Sequence, residues 1–229
     1  MQNSSDLRRW LSNGISENPL MLHGTSIESV FELTNTGKLP SGTINISESS
    51  VYEADEGRLF FAPVFSRFEG EKYKGLFEMD RKKCAEEAKT YAGYSAFTNF
   101  LASVLGCKTA ETYTLLEYLG FGSVGWRELE KGLRKDGIKV SLSRMKSLYR
   151  LARKRKGVII EPAESILELP HEVDEEDGCA IAVECPQGLD KKYISGIELL
   201  GPIEKRLMKR FLEDKLTYKD FKTEKPSVY

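Results

Sequence analysis

The sequence predicts an α+β fold, with an antiparallel sheet drawn from both ends of the chain around a helical insertion. Two observations carry this. Short β-branched or aromatic runs, each closed by turn residues, lie before residue 106 and after residue 178. The interval 107–165 between them reads as helices broken by glycine. The expected division is a core of 1–106 and 178–229, an insertion at 107–165 and an acidic linker at 166–177.

Residues 5–12 form a short helix, closed by Asn18-Pro19. Leu20-Met21-Leu22 reads as a buried strand that runs into His23-Gly24-Thr25-Ser26. Ser26 is the expected N-cap of a helix over 27–34, and Gly37 sits where a helix C-terminal glycine belongs. Residues 40–57 read as a loop, and Leu59–Ala62 as a second strand stopped by Pro63. From Arg81 to Leu105 the pattern is helical, with Ala85, Ala88, Tyr91 and Ala92 on one stripe. Two further helices are expected over 112–119 and 126–133, and a third from Ser141 or Ser143 to about Lys156, before the strand Val158-Ile159-Ile160. Cys179–Val183 and Tyr193–Leu200 read as late strands, and Ile203–Leu212 as a helix before a polar tail from Lys215.

Composition narrows the class. The 229 residues are 40% hydrophobic and 30% charged, which excludes a disordered chain. No run reaches the length of a membrane span, and MQNSSDLRRW lacks the apolar core of a signal peptide. A soluble cytoplasmic protein without a membrane partner is expected. The four cysteines form no C-x-x-C pair and there are only two histidines, His23 and His171, so no metal is expected. Cys179 and Cys185 are expected as a reduced, buried pair.

Charge is uneven. Arg127–Lys156 holds twelve Lys or Arg against three acids, whereas Glu161–Asp177 holds eight acids and no Lys or Arg. Three short helices followed by a β-branched strand resemble a winged helix-turn-helix, whose third helix would read nucleic acid. Met145, Leu148 and Leu151 make that helix's inward stripe. Arg144, Lys146, Arg150, Arg153, Lys154 and Arg155 are left outside, as expected for phosphate contacts. The competing reading has the acidic stretch folded over these cations.

No G-x-S-x-G elbow, phosphate loop or dinucleotide fingerprint is present. What stands out is an ordered set: Leu22-His23-Gly24-Thr25, a helix ending at Gly37-Lys38-Leu39, Leu59-Phe60-Phe61-Ala62, and a helix carrying Tyr91. This order resembles the ADP-ribosyltransferases of the diphtheria-toxin and poly(ADP-ribose) polymerase type. The resemblance covers residues 20–95 and, more loosely, 178–205. It implies a split antiparallel sheet and NAD as substrate, with no metal. His23 would then bond a ribose hydroxyl, Gly24 would bind the carboxamide through its backbone, and Thr25 would support that loop. Phe60, where the family has tyrosine, and Tyr91 would sandwich the nicotinamide.

The family's catalytic glutamate lies on a late strand. Glu184 and Glu198 are the candidates of equal rank, with Glu176 third. The expected activity is mono-ADP-ribosyl transfer to a macromolecule, a nucleic acid or a protein associated with one. An RNA 2'-phosphotransferase shares the resemblance, but His171, Arg58 and Arg67 do not reproduce that family's phosphate-gripping set. A DNA-binding regulator with a non-catalytic core is the non-enzyme alternative.

Overall fold

The computed structural model describes residues 4–41, 57–64, 81–105, 131, 133–134, 137–174 and 180–222. Its centre is an antiparallel sheet of β1 (Met21–Thr25), β3 (Arg58–Pro63), β4 (Val158–Pro162), β5 (His171–Asp174), β6 (Ala180–Glu184) and β8 (Ile194–Leu199). Their order is β5-β6-β3-β1-β4-β8. Both ends of the chain supply strands, as the sequence predicts, and β1, β3 and β6 are neighbours. A separate two-strand ladder joins β2 (Lys38–Leu39) to β7 (Leu189–Asp190).

Alternation along the strands builds two cores. One face, with Met21, Phe61, Ile160 and Ile197, is covered by α1 (Ser4–Asn13), α2 (Ile27–Thr36) and α5 (Pro202–Leu212). There Phe31 and Phe211 stack with ring centres 4.1 Å apart. On the other face Leu22 and Ile159 meet Cys84 and Ala88 of α3 (Arg81–Leu105). The capping logic of α2 holds: Ser26 Oγ accepts from Ser29 N–H, and Gly37, at φ 78°, donates to Leu33 O.

α3 is 25 residues long, roughly 38 Å at 1.5 Å per residue. Its first half lies on the sheet. Its second half leaves the sheet and builds another core, in which Phe97, Phe100 and Leu101 meet Met145 and Leu148 of α4 (Leu142–Ala152). The buried stripe is Cys84, Ala88, Ala92 and Ala96, whereas Tyr91 is exposed. The sequence pattern places Tyr91 on one stripe with Ala85, Ala88 and Ala92. The true stripe steps by four, and Tyr91 falls one position off it.

Three expectations are corrected. Val158-Ile159-Ile160 is not the strand of a winged helix. It is β4, in the middle of the main sheet between β1 and β8, so the sheet resumes inside the expected insertion 107–165. The acidic linker contains β5, an edge strand whose Glu172 pairs with Arg58. The third helix ends at Ala152 rather than near Lys156. The polar tail also forms a short α6 (Tyr218–Lys222). The expected helices 112–119 and 126–133 lie wholly or mostly outside the described residues, as do Cys107, Cys179, Arg67 and Glu176.

Cys84 and Cys185 are both buried and unbridged. Burial pushes the Cys84 thiol up to about 12 and that of Cys185 up to about 11. Since the thiolate is the reactive form, neither is expected to react with a maleimide at pH 7.5 in native protein. Both should label in denaturant, and mass mapping of the labelled peptides checks this. Labelling of either at the rate of free cysteine would contradict the burial.

Candidate active site at the sheet split

β1 and β3 are zipped only at their closed end, where Met21 faces Pro63 and Leu22 faces Ala62. Just outside this, Val64 N–H donates to Leu20 O at 2.8 Å. In an antiparallel pair, alternate residues turn both backbone groups to the same neighbour. The peptide groups of Leu20, Leu22 and Gly24 therefore face β3, and those of His23 and Thr25 face β4. On the other side of β1, His23, Gly24 and Thr25 lie opposite Ile160, Ile159 and Val158 of β4.

Continuing the β1–β3 register would bring Gly24 opposite Phe60, but the pairing stops at Leu22. In place of that rung, the His23 imidazole bridges the strands, with Nδ1 2.7 Å from Phe60 O. A carbonyl only accepts, so Nδ1 carries the proton, and Nε2 is the acceptor of a neutral ring. Burial holds the His23 pKa below its ordinary value, outweighing the bond to Phe60 O that raises it. The ring also lies 5.2 Å from Phe61, at a 47° tilt. The sheet is thus split beside His23, with the N–H and C=O of Gly24 aimed into the opening.

Folding favours the neutral His23, so its contribution to stability is fully present above the unfolded value near 6.5 and is lost as pH falls toward the lowered folded value. Wild-type protein is expected to lose more stability than His23→Gln between pH 8 and pH 5. Urea melts at the two pH values test this, and equal losses would refute the assignment.

The face of Gly24 toward α3 has a different role from the one expected. A Cβ there would lie 2.1 Å from Ala88 O and 2.4 Å from Ala92 N. The close approach that requires glycine is therefore made by α3 rather than by a ligand; only the peptide groups point into the split. Thr25 is buried at the end of β1. Phe60 is half-buried on the α3 side of β3, and Tyr91 lies on α3 directly above Gly24, with its side chain 49% exposed.

The two ranked carboxylates fall on opposite sides of the split. Glu184 ends β6, opposite Arg58 on the strand that forms one lip, and is exposed. Glu198 lies on the edge strand β8, two strands from the split, directly opposite Ile159 of β4. It borders a separate cleft of about 600 Å³ with Arg8, Lys205 and Lys209. Glu184 is therefore one strand nearer to the opening. His171 starts β5 with Nδ1 2.8 Å from Leu169 O, at the far edge of the sheet from β1.

Of the six cations expected to contact nucleic acid, Arg144, Arg150, Arg153 and Lys154 are exposed and Lys146 is half-buried. Arg155 is corrected. It is buried, forms a two-pronged pair with Glu28 at 3.0 and 3.2 Å, and gives Nε to Glu204 at 2.7 Å. It is a structural cation. Among the described residues no group of three or more acidic, His or Cys side chains is arranged to hold a metal ion, and no helix is long and apolar enough to cross a membrane.

No protein-family model matches the chain, and neither a curated protein nor a solved structure matches it.

Proposed function

We propose that the chain transfers ADP-ribose from NAD to a macromolecular acceptor, with the nicotinamide end of NAD held at the split between β1 and β3. The observation that carries this reading is the missing rung at Gly24, with His23 bridging to Phe60 O beside it. A backbone N–H and C=O turned into one opening match the acceptor and donor of a carboxamide. The neutral His23 offers Nε2 to a ribose hydroxyl. Phe60 of β3 and Tyr91 of α3 supply aromatic surface on the α3 face.

In the reaction the bond from ribose C1' to the nicotinamide nitrogen breaks, and its electron pair leaves with nicotinamide. The ribose gains oxocarbenium character, the acceptor nucleophile bonds to C1', and its proton is released. A carboxylate that bonds the ribose 2'-hydroxyl stabilises this charge as it develops. Glu184, nearer to the split, is assigned that role.

Labelled NAD incubated with DNA, RNA and protein in separate reactions tests the proposal by nicotinamide release and label transfer. His23→Ala and Glu184→Gln are each expected to lower release by at least roughly 100-fold, the scale for losing a group that acts on the transition state. Glu198→Gln should leave release within a few-fold of wild type. No release under any condition ends the proposal; loss in Glu198→Gln with retention in Glu184→Gln reverses the carboxylate assignment.

A further inference from the structure

A second cleft lies away from the split, between α3 and α4, with a volume of about 640 Å³. Its walls combine two chemistries. Tyr94 and Tyr149 present aromatic surface, and Lys89, Arg153 and Lys156 bring exposed cations from three points around it. None of its described lining residues is acidic. Among the described residues the only exposed large hydrophobic side chains are Tyr91 and Tyr94, both on this helix.

The floor of the cleft is Gly93, inside α3. A glycine in a helix interior costs about 0.5–1 kcal/mol relative to alanine. Here nothing among the described residues requires it. Its φ is not in the left-handed region, and a Cβ at this position would have no described atom within 4 Å. That is the reverse of Gly24, which neighbouring backbone forces to be bare. At Gly93 the missing side chain leaves a flat, open floor beside Tyr94.

The wall opposite is already ordered. Phe97 holds Tyr149 edge-on, with ring centres 5.6 Å apart at 86°, and the Arg153 guanidinium lies 5.8 Å from the centre of the Tyr149 ring. Arg155 closes the back but is committed to Glu28 and Glu204, so the cations at the mouth are Lys89, Arg153 and Lys156.

We propose that this cleft binds single-stranded nucleic acid, stacking a base on its aromatic wall and contacting flanking phosphates through Lys89, Arg153 and Lys156. A flat apolar floor beside aromatic rings suits the face of a base, which is accessible only when the base is unpaired. The volume accommodates about one nucleotide, within the range of small-ligand pockets. The remaining exposed cations of α4, Arg150 and Lys154, extend the positive surface beyond the cleft. This site does not depend on NAD chemistry at the split.

The test is fluorescence anisotropy of the full chain with a labelled single strand of ~12 nucleotides, in DNA and RNA forms, and with the DNA duplex of the same sequence. Between about 50 and 200 mM salt, contacts to about three phosphates should give a log–log slope near -2 for the strand. Tyr94→Ala should weaken binding about 5- to 100-fold, the range for loss of one stacked base. Gly93→Leu, whose Cβ meets no described atom within 4 Å and whose side chain would occupy the cleft, should abolish it while leaving the thermal melt intact. Lys192→Ala, exposed in the short turn before β8 and outside the cleft, should change affinity less than about 3-fold, as one exposed cation away from the site. No strand binding at low salt overturns the proposal, and so does duplex binding as tight as strand binding. Unchanged affinity in Tyr94→Ala and Gly93→Leu does so too, and would leave only diffuse attraction to the α4 surface. If Gly93→Leu misfolds, Tyr94→Ala at its exposed position decides alone.

Discussion

Arg155→Ala is expected to destabilise the protein by about 3–5 kcal/mol, the cost of breaking one half of a buried ion pair. Arg155 and Glu204 both have fully buried side chains. The guanidinium lies where three helices converge. Glu28 is in the first turn of α2, Glu204 is in the first turn of α5, and Phe100 of α3 has its ring centre 5.8 Å from the guanidinium carbon. Burial opposes the charge on Arg155, but Glu28 and Glu204 outweigh it and hold the guanidinium pKa above its ordinary value. Alanine would strip Glu204 of its cation and leave Lys156 N–H, at 3.3 Å, as the remaining bond to Oε1. Oε2 has no hydrogen-bond partner among the described residues. The cost would fall on the bare carboxylate more than on the lost attraction. It follows that Arg155→Met combined with Glu204→Leu, which removes both charges and keeps volume, should recover most of the loss. Urea midpoints of the single and double variants decide this. A single variant within about 1 kcal/mol of wild type, or a double variant no better than the single, would show that the pair is not desolvated as described.

Arg155 also shows where sequence reading stops. Arg153-Lys154-Arg155-Lys156 is a uniform basic run, and nothing local distinguishes its third member. Only the long-range partners at residues 28 and 204 draw that side chain inward, three residues beyond the end of α4 at Ala152. β4 failed for a related reason. Val158-Ile159-Ile160 is buried on both faces, so it reads as an apolar run without alternation, equally suited to a peripheral wing and to the middle of a sheet. β5 was missed because His171-Glu172-Val173-Asp174 is short and charged, which is how an exposed edge strand is protected from further pairing. By contrast β1, α2 and β3 were legible throughout. Each has an apolar run of the right length, and α2 carries a start signal, Ser26, and a stop signal, Gly37, that act through hydrogen bonds to its own ends. At the candidate site, His23, Gly24 and Phe60 were found from their order along the chain. The bridge from His23 to the Phe60 carbonyl was invisible, because a backbone acceptor leaves no mark on residue type.

Gly24→Ala is the companion large effect, expected to cost about 3 kcal/mol or more, at or above the upper range for overpacking a core. The new methyl would meet Ala88 O at 2.1 Å and Ala92 N at 2.4 Å, and both are backbone atoms that cannot rotate away. Relief requires α3 to lift from β1. Leu22 and Ile159 would then lose contact with Cys84 and Ala88, and the backbone of Tyr91 would move off the split. Gly157 lies on the same line of contact, its φ at +76° and a Cβ there 2.1 Å from Ala92 O, so the helix is pinned at two glycines and cannot tilt about one of them. Gly93→Ala on the same helix is the internal control. Its methyl meets no described atom within 4 Å, and it should stabilise by about 0.5–1 kcal/mol through helix propensity alone. Opposite signs for the two glycine-to-alanine changes, measured by urea unfolding under one set of conditions, are therefore the expected result. Gly24→Ala within about 0.5 kcal/mol of wild type, the size of an ordinary surface substitution, would mean that α3 does not rest on β1 as described.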